Sequence, residues 1–179
     1  MKISYSCLPN VASIIRSKNS RLRRSQLSDE RPCNCRVKSQ CPLQGKCQAE
    51  CIVYKATVSD SQSGIVQDYV GLSAPPFKLR YANHLSSFRH ERYESRTELA
   101  KHVWDLKRQD RSPSITWSIL EKASAYRPGS KMCQLCIAEK FRIIKWPKSR
   151  RLNKRPELVS ACRHANKFLL SNFHPQSVT

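Results

Sequence analysis

The sequence lacks three features that would tie it to a membrane or to the secretory route. It has no apolar run of bilayer-spanning length, no lipidation motif and no basic amphipathic helix with a strong apolar face. The N-terminal stretch from Met1 to Arg24 also lacks the uninterrupted apolar run of a signal peptide. We therefore expect no membrane partner and a reducing compartment, where clustered cysteines bind metal more often than they form disulfides.

Acidic residues are scarce as well. The 179 residues include 13 Asp and Glu against 33 Lys and Arg, which gives a formal net charge of +20. So basic a chain predicts a polyanionic partner, and phosphates are the usual counter-charge, which favours DNA. The basic character and the absence of export signals point to the nucleus or the cytosol, and we predict a nuclear location. Because apolar residues make up only 39% of the chain, we expect one modest core with solvated flanks.

The N-terminal segment, residues 1–31, is rich in serine and arginine and shows little periodicity. This composition predicts a flexible basic linker over residues 1–31. A short basic run at residues 21–24 leaves open a second interpretation, in which the segment is a phosphate-contacting or nuclear-targeting arm.

A cysteine-rich segment follows at residues 32–50. Four of its cysteines lie close together in the sequence, with Pro42 and Gly45 as turn formers, so that four thiolates can reach one ion: Cys33, Cys35, Cys41 and Cys47. Zn2+ prefers such a soft tetrahedral set, and the segment has too few apolar residues to fold without it. Cys51 either replaces one of the four or begins the next strand, and we favour the second interpretation.

The pattern of residues 51–173 predicts an α+β domain. An alternating β-branched run at 51–58, a polar turn ending in Gly64 and a return run at 66–72 predict a β-hairpin. A third strand is predicted at 114–120. Helical patterns occupy four further stretches, at 77–89, 97–109, 133–145 and 157–173.

The hairpin and the helix after it carry side chains suited to phosphodiester chemistry. Tyr54 and Tyr69 lie on the two hairpin strands, and Arg80 and His84 are spaced i, i+4 on one helix face. Phenol, guanidinium and imidazole groups beside a basic surface can position and protonate a phosphate ester.

The runs Ile52-Val53-Tyr54 and Tyr69-Val70-Gly71, with the later Glu139 and Asn153, resemble the GIY-YIG nuclease superfamily. The chain departs from the family pattern at Ile52, where glycine is expected, and at Val70, where isoleucine is expected, and both residues keep strand character. A narrower resemblance, to the endonuclease domain that follows reverse transcriptase in Penelope-like retroelements, is carried by the cysteine segment and by residues 131–136 and 162–164.

The resemblance implies a small, mostly antiparallel three-stranded sheet flanked by helices, GIY-YIG nuclease-like, after a zinc-binding segment. It also implies a C-terminal fragment whose partners are DNA and the element's reverse transcriptase, and which nicks DNA to prime reverse transcription. In such enzymes one Mg2+ or Mn2+ is held by the residue corresponding to Glu139. Carried over position by position, the catalytic set is Tyr54, Tyr69, Arg80, His84 and Asn153.

These residue types make chemical sense in those roles. A divalent ion on Glu139 would polarise the scissile phosphate, and a single carboxylate suits Mg2+, which keeps most of its waters. Arg80 offers a planar fork to phosphate oxygens, and a tyrosine whose pKa is lowered near the metal could accept a proton from water, with help from His84. Glu98 is a competing carboxylate, but its place at the start of a helix indicates capping or dipole compensation.

Two further groups are predicted to bind zinc or DNA. The spacing of Cys133, Cys136, Cys162 and His164 fits a second zinc site, although reduced cysteines also pack well in cores. The stretch 140–155 contains no acid and is interpreted as a lining that contacts DNA phosphates without sequence preference. Its basic residues are Lys140, Arg142, Lys145, Lys148, Arg150, Arg151, Lys154 and Arg155.

A second function remains open beside the nuclease. The chain could be a non-catalytic, zinc-dependent nucleic-acid-binding module derived from such an element. Both interpretations predict salt-sensitive DNA binding, whereas only the nuclease predicts strand cleavage that depends on Glu139.

Overall fold

A computed structural model describes residues 32–60, 62, 64–126 and 133–154, together with the strand residues 161–162 and 168–169. The predicted linker over 1–31 lies outside the described residues. The strands are β1 (Ile52–Ser59), β2 (Val66–Ser73), β3 (Ser114–Lys122), β4 (Ala161–Cys162) and β5 (Phe168–Leu169). The α-helices are α1 (Phe77–Arg89), α2 (Glu98–Arg108) and α3 (Gln134–Lys145), and 3-10 helices occupy Lys38–Gln40 and Glu91–Arg96.

The main sheet has three antiparallel strands in the order β2-β1-β3. The central strand β1 is the most apolar, and its residues from Ile52 to Tyr54 have no exposed surface, because partners cover it on both edges and both faces. On β2, Gly71 lies opposite Tyr54, and Tyr69 lies opposite Ala56. The prediction of an α+β fold with a small antiparallel sheet is confirmed.

The sheet separates two apolar clusters, because successive side chains of a strand point to opposite faces. Tyr54, Ala56 and Val58 join the larger cluster, together with residues of α1 and α2. Val53 and Val70 join the smaller one, whose other buried members come from the chain around α3. The sheet is therefore covered on both faces, and α1 and α3 approach it from opposite sides.

The two helices of the larger cluster begin in different ways. For α2, the hydroxyl of Thr97 accepts a hydrogen bond from the Ala100 N–H at 3.0 Å, so Thr97 is the cap. Helix α1 follows Pro75 and Pro76 and has no side-chain cap. Instead, its first two N–H groups, those of Phe77 and Lys78, donate hydrogen bonds to carbonyls of the cysteine-rich segment.

The predicted helix over 157–173 is wrong wherever the structure describes that stretch. Ala161–Cys162 pairs antiparallel with Phe168–Leu169, which excludes a continuous helix through these residues. A short apolar run such as residues 168–170 fits either element, so periodicity alone did not decide between them. The rest of 157–173 lies outside the described residues. No helix in the described part of the chain is long and apolar enough to span a bilayer.

Candidate active site and metal centre

Tyr54 lies at the centre of a hydrogen-bonded group between β1 and α1. Its side chain is fully buried, and its ring packs edge-on against Phe77 with centroids 5.0 Å apart. The Tyr54 hydroxyl lies 2.7 Å from His84 Nε2, and Arg80 Nε donates a hydrogen bond to it at 3.1 Å. The i, i+4 spacing of Arg80 and His84 therefore brings both side chains to the same phenol oxygen.

Tyr69 projects from β2 into the same group. Its ring lies 6.1 Å from that of His84, centroid to centroid, and the Arg80 guanidinium hydrogen-bonds to both tyrosines. The four residues predicted from the hairpin and its helix therefore meet at one place.

Gly71 is required by the close approach of the Tyr54 ring, not by its backbone conformation. A Cβ at this position would lie 2.6 Å from the Tyr54 hydroxyl oxygen, 2.7 Å from Tyr54 Cζ and 2.9 Å from Tyr69 Cε1. Real Cβ atoms do not come that close, so any side chain at position 71 must displace both tyrosines. Packing thus accounts for the glycine in the run Tyr69-Val70-Gly71.

We expect Gly71→Ala to lower the free energy of unfolding by about 3 kcal/mol, because overpacking a filled core forces side chains from their positions. Gly64→Ala is the matched control, since a Cβ there meets nothing within 4 Å and only the left-handed backbone at φ +66 resists it. That control should cost about 1 kcal/mol. Urea unfolding of both variants tests the difference, and equal losses would contradict the steric explanation.

Glu139 reaches this group from α3. Its carboxylate accepts a hydrogen bond from the Leu72 backbone N–H on β2, and it interacts electrostatically with Arg80 and both tyrosines. Burial raises the pKa of Glu139 to about 7, against the opposing effects of Lys140, Arg80 and the Leu72 N–H. The effect of burial on the pKa of Glu139 therefore exceeds that of the neighbouring cations.

Burial also controls the protonation of the other groups. It raises the pKa of Tyr54 and of Tyr69, although the positive charge of Arg80 works in the opposite direction. Burial, assisted by Arg80, lowers the pKa of His84 to about 3, so the imidazole is neutral at physiological pH. The lowered tyrosine pKa that the sequence led us to expect is thus not produced by the protein groups alone.

Asn153 is engaged with the backbone of β2. Its Oδ1 accepts from the Val70 N–H at 2.9 Å, and its Nδ2 donates to the Val70 carbonyl at 2.8 Å. The side-chain amide thus continues the sheet where a neighbouring strand would otherwise pair. Asn153 holds the segment between Tyr69 and Gly71, which makes it a positioning residue in this geometry.

Sequence reasoning missed Asp68, which anchors the chain after α3. This carboxylate is 1% exposed and accepts hydrogen bonds from the Thr57 hydroxyl at 2.7 Å and from Trp146 Nε1 at 3.2 Å. It also pairs with Arg150 at 3.0 Å, and its backbone bonds the Arg150 carbonyl and the Leu152 N–H. An Asp in the middle of a strand was the available signal, because Asp is depleted in strands and is rarely buried unless paired.

Several of the predicted DNA-contacting cations already have partners inside the protein. Arg142 pairs with Glu121 at 2.9 Å, and Arg151 donates to the Ile143 carbonyl at 2.9 Å. Together with the pairing of Arg150, these contacts leave less positive surface for phosphates than the number of basic residues indicates. Lys148 is exposed, and Arg155 lies outside the described residues.

Two more lysines of the run have identified contacts. Lys145 Nζ lies 4.3 Å from the centroid of the Phe141 ring, and Lys154 pairs with Glu98 at 3.0 Å. Glu98 lies in the first turn of α2 while Thr97 supplies the cap. That position fits the interpretation of Glu98 as dipole compensation.

The four cysteines of the cysteine-rich segment form a group that could hold a metal ion. The sulfur atoms of Cys33, Cys35, Cys41 and Cys47 all lie within 4.8 Å of one another. Cys47 Sγ is 3.5 Å from that of Cys33 and 3.7 Å from that of Cys35. A tetrahedral zinc–thiolate centre with bonds of about 2.3 Å requires sulfur separations of about 3.8 Å, close to those observed.

The thiol pKa values favour a cation among these sulfurs. Burial raises the pKa of the Cys41 thiol, but N–H groups of Gly45 and Leu43 outweigh it and bring the pKa down to about 7. Burial and the neighbouring sulfurs raise the pKa of Cys47 to about 12. Cys47 can therefore ionise beside Cys41 at neutral pH only if a cation offsets their repulsion.

The remaining described cysteines lie apart from this group. Cys51 directly precedes β1 with a left-handed backbone at φ 52, so it does not begin the strand, and it donates through Sγ to the Ala74 carbonyl at 3.6 Å. Cys133 and Cys136 are buried in the smaller apolar cluster. The side chain of Cys162 and all of His164 lie outside the described residues, so the second zinc site stays a prediction.

Four elements bring the predicted chemical groups together: β1 supplies Tyr54, β2 supplies Tyr69, α1 supplies Arg80 and His84, and α3 supplies Glu139. Asn153 holds β2 from its outer edge. No protein-family model, curated protein sequence or solved structure matches this chain.

Proposed function

We propose that this chain is a metal-dependent DNA endonuclease of the GIY-YIG type from a Penelope-like retroelement. It would nick target DNA in the nucleus to prime the element's reverse transcriptase. The observation that supports this proposal is the meeting of Arg80, both tyrosines, His84 and Glu139 from four elements distant in the sequence. A guanidinium, two phenols and a desolvated carboxylate close together in a largely buried place are typical of a functional site.

Arg80 is the group we assign to the phosphate. Its guanidinium is held by the two tyrosine hydroxyls and is partly exposed, so one side of its fork can meet a phosphate oxygen. Holding the cation in advance lowers the cost of ordering it when charge develops on the phosphate. Arg80→Lys would keep the charge and lose the planar fork.

His84 is assigned to orientation instead of proton transfer. With a pKa of about 3, its imidazole is a poor proton acceptor at neutral pH. Its Nε2 lies within hydrogen-bonding distance of the Tyr54 hydroxyl and fixes the direction of that hydroxyl. If either tyrosine acts as the base, its pKa must be lowered by a positive charge beyond those that the protein supplies.

The carboxylate of Glu139 is chemically suited to bind Mg2+ or Mn2+. This carboxylate is desolvated and only about half ionised at pH 7, so a bound cation would recover the free energy that ionisation costs. Within the described residues the four cysteines form the one group of three or more possible ligands, so water and phosphate oxygens would complete the shell, as Mg2+ commonly requires. When bound, such an ion polarises the scissile phosphate and stabilises the leaving oxygen.

We further propose that Zn2+ is the structural metal of the four-cysteine group and that the 140–155 stretch contacts DNA phosphates. The choice of Zn2+ rests on an all-thiolate tetrahedral donor set. The proposed second Zn2+, on Cys133, Cys136, Cys162 and His164, rests on their spacing alone. Salt-dependent DNA binding without sequence preference is the expected behaviour of this surface.

The test is the nicking of supercoiled plasmid by the purified full chain with Mg2+ or Mn2+. We expect relaxed circles from the wild type and a loss of about 100-fold or more for Glu139→Gln. Glu121→Gln is the matched control, because it removes a partly exposed carboxylate and changes the net charge equally. If neither the wild type nor the control cuts while both bind DNA, the binding-module alternative replaces the nuclease.

A further inference from the structure

The cysteine-rich segment is docked on the first turn of the helix that carries Arg80 and His84. The Phe77 N–H donates to the Ala49 carbonyl at 2.9 Å, and the Lys78 N–H donates to the Cys47 carbonyl at 2.8 Å. The first N–H groups of a helix have no partner within it, so these two bonds supply the cap that α1 otherwise lacks.

Side chains reinforce the docking. Lys78 Nζ donates to Asn34 at Oδ1 (2.7 Å) and at the backbone carbonyl (3.3 Å), and Asn34 lies between Cys33 and Cys35. Gln48 Nε2 donates to the same Oδ1 at 2.6 Å. Both ends of the cysteine segment therefore contact α1 or its cap.

One apolar contact completes the junction. Leu43, between Cys41 and Cys47, is 5% exposed and belongs to the larger apolar cluster, which also contains Phe77 and Tyr54. Beyond Leu43 and two of the cysteines, the described residues before Ile52 contribute no buried apolar side chain. The segment has little core of its own, so its shape depends on what holds the four sulfurs together.

We infer that a metal bound by the four cysteines positions the first turn of α1, and through it Arg80 and His84. Cys47 is the link, because its sulfur belongs to the metal-binding group while its carbonyl caps Lys78. Arg80 lies two residues further along the same turn and bonds both tyrosines. The effect of the metal on the position of α1 is inferred from these contacts alone. Its consequence for DNA cleavage rests on the proposed nuclease function.

The experiment is hydrogen–deuterium exchange of the full chain, read by mass spectrometry, with Zn2+ bound and after a zinc-selective chelator, both in Mg2+. We expect the amides of residues 77–81 to exchange about tenfold faster after chelation. The peptide from Glu98–Arg108 is the internal control, and its exchange should change by less than about twofold. It lies in the same apolar cluster but has no bond to the cysteine segment among those described.

Two outcomes would overturn the inference. Unchanged exchange at 77–81 after Zn2+ is shown to have left would mean that α1 keeps its first turn without the metal. Equal acceleration of both peptides would mean that the metal holds the whole domain and not this turn.

A variant that keeps every cysteine gives a second, independent reading. Asn34→Ala removes the side-chain acceptor of Lys78 Nζ, and we expect Zn2+ content to stay unchanged while exchange at 77–81 rises about threefold. Asn83→Ala is the matched control, since Asn83 is exposed on the same helix away from its first turn. Identical exchange in the two variants would contradict the proposed coupling.

Plasmid nicking before and after chelation separates this inference from the proposed function. If chelation speeds exchange at 77–81 in a protein that never cuts, the nuclease proposal fails and the coupling stands. If cutting continues unchanged after Zn2+ has left and exchange does not respond, the coupling fails and the nuclease stands.

Discussion

Glu139→Gln should stabilise the metal-free fold at alkaline pH while it abolishes nicking. The pKa of Glu139 is about 7 in the folded chain and near 4.5 when exposed. The folded state therefore holds the proton more tightly, and this contribution to stability is lost as pH rises from about 4.5 to about 7. Above that range the buried charge should cost about 3 kcal/mol, which the neutral glutamine avoids.

Urea unfolding without Mg2+, with Zn2+ retained, provides the measurement. The advantage of the glutamine variant should be full at about pH 8 and fall below about 1 kcal/mol near pH 5. Adding Mg2+ at the higher pH should stabilise the wild type and leave the variant unchanged. Glu121→Gln should show neither effect. If Glu139→Gln is less stable than the wild type at pH 8, the buried environment assigned to the Glu139 carboxylate is contradicted.

Asp68→Ala should destabilise the domain by about 3 kcal/mol, because buried donors that lose an acceptor cost about 1–3 kcal/mol each. The substitution leaves the Thr57 hydroxyl and the Trp146 indole N–H without their shared acceptor and frees Arg150 from its partner. Residues 150–153 then lose the anchor that aligns them with β2.

Thermal unfolding would check this expectation. Asp68→Asn is the informative companion, because its amide keeps the shape and one oxygen acceptor but removes the charge opposite Arg150. It should recover part of the stability lost by the alanine variant. An alanine variant with the melting temperature of the wild type would show that the Asp68 contacts contribute little.

Local patterns were enough to predict the hairpin and the helix after it. Alternation over residues 51–58, the turn before Val66 and the i, i+4 pair on α1 are short-range features, so Tyr54, Tyr69, Arg80 and His84 could be placed together from the sequence. The four-cysteine group was predictable for a similar reason, since all of its ligands come from one short segment.

Features that depend on long-range contacts could not be obtained in this way. Two contacts have no signal in the neighbouring sequence, because each depends on a residue of another segment. They are the close approach of Tyr54 to Gly71 and the hydrogen bonds of Asn153 to Val70. The same holds for Arg142 and Arg150, which the sequence predicts as DNA contacts but which pair with Glu121 and Asp68 in the fold. The number of basic residues can be read from the sequence, whereas the number of cations available to bind phosphates depends on tertiary structure.

The strip formed by residues 150–153 has a consequence for solubility. It covers the outer backbone edge of β2 at Asp68 and Val70, a row of donors and acceptors that could otherwise recruit a strand from another molecule. A chain shortened to end before Trp146 would bare the β2 edge, and we expect it to self-associate.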